Sequence, residues 1–327
     1  MSRADFSPES IASLAHEVLP VIREHLPPTP VVHSAWLSEL SGGEVFLKCE
    51  NLQRTGSFKI RGVLAALSSL SSAAKKEGVL SCSTGNHGSA LAWASQLLGI
   101  PCKIVVPQTV AANKVQKIKA CGSELITAPF AGYDRSQAWT LENLEKLGGT
   151  YVSPFEDPHV IAGNGGTLAL ELLDQEPKAD LWIVPCGGGG MICGVGSVLK
   201  TRGESTELMG VNSVASAGMF LSRRDGKPYL VLDSDPTLAD GTEGGIGVST
   251  FALGNQVIDD CVCVSEGTIA EAVRETMAKE KLVVEGAAAL SVAAVLEGYG
   301  KGKRVGLILS GGNIDEKTLV KILTLDS

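Results

Sequence analysis

Residues 79–107 read VLSCSTGNHGSALAWASQLLGIPCKIVVP. A short apolar run, VLSCS (79–83), is followed by small polar residues. A helical-period segment, NHGSALAWASQLLG (86–99), ends at glycine, and a second apolar run, KIVVP (103–107), follows. Strand, helix and strand in this order specify a βαβ unit, whose two strands are parallel. The rhythm extends both ways. EVFLKCE (44–50), SELITA (123–128), TYVS (150–153), LWIVPC (181–186), LMGVN (208–212), CVCVS (261–265) and RVGLILS (304–310) read as strands. Segments 57–70, 113–122, 133–149, 267–281 and 286–298 read as helices. The alanine-rich helix at 286–297 is apolar nearly all round and is expected to be deeply buried. The fold class is α/β, with mostly parallel sheets covered by helices.

A chain of 327 residues is long for one core, so two lobes are expected. A formal charge of −8 excludes nucleic acid and anionic membrane as main partners, since both demand a basic face. The eight cysteines show no C-x-x-C pair, which points to reduced thiols. The polar start, MSRADFSPES, has no apolar signal core, and no apolar run is long enough to span a membrane. A cytoplasmic location is expected.

Four short motifs carry candidate chemistry. PCGGGGMICG (185–194) places four glycines between a strand and a helix, where bare amides and a helix N-terminus can cradle a phosphate. It is neither a P-loop nor a strict G-x-G-x-x-G, and a tight turn is the plain alternative. STGNHG (83–88) can form an amide nest for a carboxylate, or merely cap a helix. SGGN (310–313) sits at the carboxyl end of a strand, where ligands gather in open α/β sheets. In TGSFKIRG (55–62), Lys59 lies among apolar residues. It is either a snorkelling surface lysine or an amine whose charge is disfavoured, fit for Schiff-base chemistry. Phosphate cup, amine, carboxylate nest and strand-end hydroxyl together match what pyridoxal phosphate and an amino acid require.

TGSFKIRG, STGNHG, the tetraglycine loop, KLVVEGAAA (281–289) and SGGN, in that order, resemble the fold type II pyridoxal-phosphate enzymes. The likeness is greatest to their threonine/serine dehydratase and serine racemase branch. It implies two lobes of the tryptophan synthase β-like kind, with 1–75 and 153–327 forming a large cofactor-binding domain and 76–152 a small one. By resemblance, Lys59 carries pyridoxal 5'-phosphate as a Schiff base and moves the substrate α-proton. Gly187, Gly188, Gly189, Gly190 and Met191 hold the phosphate, and Asn86 bonds the ring oxygen. Phe58 lies beside the ring, and Ser310 faces the pyridine nitrogen. Ser83, Thr84, Gly85 and His87 surround the substrate carboxylate, with Phe155 and Gly241 nearby. A homodimer is implied as well.

A neutral serine at the pyridine nitrogen leaves it largely unprotonated, which favours prompt β-elimination over transamination. The expected reaction is loss of water from a β-hydroxy amino acid, giving a 2-oxo acid and ammonia. A racemase or β-replacement enzyme on the same scaffold is the alternative, and a non-catalytic ligand-binding protein is the alternative of another class. Thr84 bears on the racemase reading, because related racemases carry a hydroxyl there; helix capping is its other explanation. Asn212 stands where a glutamate is usual and Gly218 near a usual acidic ligand, so no divalent cation is expected. Ser153 replaces a histidine, and GNGGT (163–167) is one residue longer than the usual GQGT. These changes are expected near the substrate side chain. ADGTEGGIG (239–247) is closer to dehydratase-like proteins of ectoine breakdown, or of hydroxyaspartate or phenylserine. The length leaves no room for a C-terminal regulatory domain, so isoleucine feedback is not expected.

Overall fold

The computed structural model describes residues 5–83, 85–110, 112–175 and 178–324. Its strands, in chain order, are β1 (Val31–His33), β2 (Glu44–Lys48), β3 (Val79–Cys82), β4 (Cys102–Val106), β5 (Glu124–Thr127), β6 (Thr150–Tyr151), β7 (Leu181–Pro185), β8 (Glu207–Ser213), β9 (Asp260–Val264) and β10 (Arg304–Ile308). They form two sheets. The larger has the order β1-β2-β10-β7-β8-β9 and the smaller β5-β4-β3-β6. All pairings are parallel except β1 with β2. A parallel sheet is covered on both faces, which is why β7 and β3 are buried at every position. β10 and β7 meet at Gly306 and Trp182. A Cβ on Gly306 would lie 1.9 Å from the Trp182 ring, so glycine there makes room for the buried indole.

The alanine-rich helix, Gly286–Leu296, is buried from Gly286 to Val295, in keeping with its apolar surface. Three elements depart from the sequence reading. The helix expected over 133–149 breaks at Asn143 into Tyr133–Glu142 and Leu144–Leu147. The helix expected over 267–281 begins at Glu266 and turns at Glu275 into a π-turn, Thr276–Glu280, which Lys281 ends with φ +61°. The edge strand β1 escaped notice, because three residues with a half-exposed face carry almost no periodic signal.

GNGGT is also resolved differently. The longer motif forms a buried π-turn, Ala162–Gly166, among the helices Pro8–His25, Lys59–Ser69 and Gly190–Thr201. It therefore lies inside the helical layer, in contrast to the expected place beside a substrate side chain. An inserted residue inside a helix is absorbed as one wider turn.

Beneath the start of the helix Lys59–Ser69 lies a dry ionic cluster. Arg61 makes paired hydrogen bonds to Glu50, at 2.8 and 2.8 Å, and to Glu171, at 2.7 and 2.8 Å. Lys48 Nζ donates to Glu171 at 2.9 Å, and Thr29 Oγ1 to Glu50 at 2.5 Å. Burial opposes the charge of Glu171, but Arg61 and Lys48 outweigh it and hold its carboxyl below the usual range. Breaking such a cluster by removing one partner costs about 3–5 kcal/mol. The lysine helix is thus pinned two residues after Lys59. Among the described residues, no helix is long and apolar enough to cross a membrane.

Candidate active site

The ends of β3, β7 and β10 supply three of the expected motifs, as the crevice rule for parallel sheets requires. Lys59 is the first residue of its helix. The chain before it is fastened to the end of β10 by a bridge between Ser57 and Gly311, and by a bond from Phe58 N to Ser310 O of 3.1 Å. Lys59 Nζ donates to Pro154 O at 2.9 Å and lies 5.2 Å from the Phe58 ring centroid. Burial pushes its amine down to about 8, with Glu285 opposing. The positive end of the helix dipole also disfavours a cation there. Lys59 is therefore not a snorkelling surface lysine.

Past β7, Gly187–Gly190 open the helix Gly190–Thr201. Gly189 has φ +90°, in the left-handed region that suits glycine. A Cβ on Gly188 would lie 2.4 Å from the Phe155 ring, and one on Gly187 would lie 2.9 Å from Thr242 Cα. Phe155 and Thr242 thus press directly on the loop. Among the described residues, no protein group accepts from the amides of Gly187, Gly188, Gly189, Gly190 or Met191. Five consecutive unspent amides at a helix N-terminus fit a phosphate.

At the end of β3, the Ser83 hydroxyl accepts from Gly85 N at 3.3 Å and Gly88 N at 3.0 Å. The N-cap of the helix Asn86–Leu98 is Gly85, and Ser83, three residues before the helix, satisfies one of its first-turn amides from outside. The amides of Asn86 and His87 have no acceptor among the described residues and remain for an anion. Gly85 is exposed beside them. Thr84 lies outside the described residues. His87 is buried; its Nε2 lies 3.1 Å from Val152 O, and its Nδ1 has no partner. Burial and the nearby Lys59 push its imidazole down to about 3, so the ring is neutral near pH 7. With Nε2 donating to the carbonyl, Nδ1 is left as an acceptor.

Two site residues were missed by sequence reasoning. Glu285, buried at the start of the alanine-rich helix, accepts from Asn86 Nδ2 at 2.6 Å, and its amide donates to Gly311 O at 3.0 Å. A Cβ on Gly311 would meet Glu285 Oε1 at 2.4 Å, and one on Gly241 at 3.9 Å. Asn313 Nδ2 donates to Asn86 Oδ1 and to Thr55 O, each at 2.8 Å. The segments around Lys59, Asn86, Glu285 and Ser310 therefore share one site. The missed signal was an acid directly before a wholly apolar helix, in VVEGAAA.

At the end of β8, Asn212 Nδ2 donates to Cys186 O at 2.6 Å, and Asn212 Oδ1 accepts from Phe220 N at 3.1 Å. Its amide is engaged by protein. Among the described residues, no group of three or more His, Cys, Asp or Glu is placed to hold a metal.

A perturbed lysine at a helix start, with an amide cup and a second helix N-terminus at strand ends beside it, defines a pyridoxal-phosphate site. Residues 22–311 match the family described as pyridoxal-phosphate dependent enzyme, and the chain belongs to that family. Its cofactor is pyridoxal phosphate. An L-threonine ammonia-lyase of Thermotoga maritima is 40% identical over 297 residues, 90% of this chain and 73% of that protein. Human serine racemase is 37% identical over 302 residues, 90% and 88% of the two chains. A solved threonine deaminase of Solanum lycopersicum superposes with a TM-score of 0.88 at 31% identity, covering 96% of this chain and 94% of that one.

Proposed function

We propose that this enzyme is an ammonia-lyase that removes water from a β-hydroxy amino acid, leaving a 2-oxo acid and ammonia. The bound cofactor supplies an electron sink for the bond at the substrate α-carbon. The protein's part follows from its geometry. Lys59 holds the cofactor and, with an amine poised near pH 8, moves the α-proton. The amides of Gly187–Met191, which have no acceptor among the described residues, would hold the cofactor's phosphate. Ser310, a neutral hydroxyl group at the end of β10, would face the pyridine nitrogen of the bound cofactor. The free amides of Asn86 and His87 receive the substrate carboxylate, with Ser83, Gly85, Thr84, Phe155 and Gly241 around it. Glu285 orients Asn86 and balances the charge of Lys59.

The observation that carries this reading is Lys59 itself, a half-buried amine with its pKa lowered beside an unspent amide cup. Borohydride treatment of the cofactor-loaded protein, followed by peptide mapping, tests it. The cofactor is expected on the peptide containing Lys59; cofactor fixed on another lysine contradicts the assignment.

Racemisation is the second reading, favoured by the match to serine racemase. It predicts D-amino acid as product. The working unit proposed is a cytoplasmic homodimer. Leu52 and Val283, both exposed, lie on segments joined by Asn51 Nδ2 to Val283 O and offer it an apolar patch. The lobes proposed are 1–75 with 153–327, and 76–152, the latter containing all of the smaller sheet.

A further inference from the structure

The π-turn Ala162–Gly166 touches both halves of the cofactor site. Every one of its residues is buried. On one side, Asn164 Oδ1 accepts from Gly62 N at 2.9 Å. That amide is the fourth of the helix begun by Lys59, and its usual acceptor, Phe58 O, takes the Arg61 amide at 3.0 Å. On the same side, a Cβ on Gly163 would lie 2.6 Å from Arg61 O. On the other side, a Cβ on Gly165 would lie 2.0 Å from Met191 O, and one on Gly194 would lie 2.3 Å from Ile161 O. Backbone meets backbone there with no side chain between. The turn is a wedge seated against the lysine helix on one face and the cup helix on the other.

Asn164 uses only half of its amide. Its Nδ2 is buried and has no hydrogen-bond partner among the described residues, a state that an apolar residue of similar size would avoid. What the position needs is the acceptor oxygen. π-turns inside helices are frequent at functional sites.

We propose that Asn164 is a positioning residue that fixes the lysine helix against the glycine cup, and so sets the reach from Lys59 Nζ to the bound phosphate. This rests on the reading that Lys59 and the cup hold the cofactor.

The test compares Asn164→Leu, Asn164→Ala and Asn164→Asp with the parent enzyme. Three quantities are read: the dissociation constant of pyridoxal phosphate by fluorescence titration, kcat and KM separately, and the melting temperature of the cofactor-free protein. Loss of the acceptor is expected to weaken cofactor binding about tenfold and lower kcat by a similar factor in the Leu and Ala variants. Asn164→Asp keeps the acceptor oxygen when its buried carboxyl is neutral, so it is expected to stay within about threefold of the parent at about pH 6 and to weaken as pH rises. Should Leu prevent folding, the smaller Ala variant carries the comparison. Leu or Ala variants with parental binding and kcat, and only a lower melting temperature, overturn the proposal. So does an Asp variant as impaired as Leu at about pH 6, where its carboxyl is neutral. Lys59→Ala, titrated in parallel, separates the two readings. Retention of the covalent absorbance band by Lys59→Ala defeats the site assignment; its loss, with Asn164→Leu unchanged, defeats the Asn164 assignment alone.

Discussion

Asn86 Nδ2 donates to Glu285 Oε1 at 2.6 Å, joining residues 199 apart in sequence at the mouth of the site. The same carboxylate raises the pKa of Lys59 against the larger effect of burial. Replacing Glu285 by Gln keeps an acceptor for Asn86 and removes the charge. The amine of Lys59 is then expected to titrate below about 8. The pH dependence of cofactor association measures this; an unmoved midpoint means that Glu285 does not tune the lysine.

In the parent protein, cofactor capture needs the uncharged amine. The ammonium form dominates below its pKa and the amine above it, so the association rate should rise with pH through a midpoint near 8. An unperturbed lysine would titrate near 10.4. Stopped-flow mixing of cofactor-free protein with pyridoxal phosphate across pH 6–11, a window of about five units, distinguishes the two.

His87 gives a prediction of stability. Its folded pKa, about 3, lies below the value near 6.5 that it has when unfolded. Between these limits the unfolded chain binds the extra proton, so this contribution is fully favourable above about 6.5 and declines as pH falls toward about 3. Denaturant titrations of the parent and His87→Asn should diverge in slope against pH in that window. Parallel curves there would show that the imidazole is not buried neutral.

Gly189 occupies φ +90° with Met219 Cε 2.8 Å from where a Cβ would stand. Gly189→Ala is expected to cost about 1–2 kcal/mol of stability from the backbone alone, and to weaken phosphate capture by shifting the cup amides. Paired melting and cofactor-titration measurements check it. Unchanged cofactor affinity would show that the loop conformation is not what holds the phosphate.

Much of the fold was legible because parallel strands are buried on both faces and read as continuous apolar runs, as in LWIVPC and RVGLILS. Lys59 and the tetraglycine loop were legible because their chemistry demands particular residue types, an amine among apolar residues and bare amides after a strand. Glu285 and Asn164 were not. Their roles arise from contacts spanning 199 and 102 residues, and no local periodicity encodes such distances. The π-turn was visible only as one surplus residue in GNGGT, and its place among three helices is set by packing. Ser83 shows an intermediate case, since its hydroxyl takes a first-turn amide of the next helix, but from three residues upstream where an ordinary cap stands directly before it.

Elimination driven from Lys59 is decided by its product. The enzyme, loaded with pyridoxal phosphate, is incubated with L-threonine, L-serine and the isomers of hydroxyaspartate, and 2-oxo acid, ammonia and D-amino acid are assayed together. Equal amounts of 2-oxo acid and ammonia from at least one of these substrates, abolished in Lys59→Ala, are predicted. D-amino acid without 2-oxo acid, or elimination that survives Lys59→Ala, would contradict it.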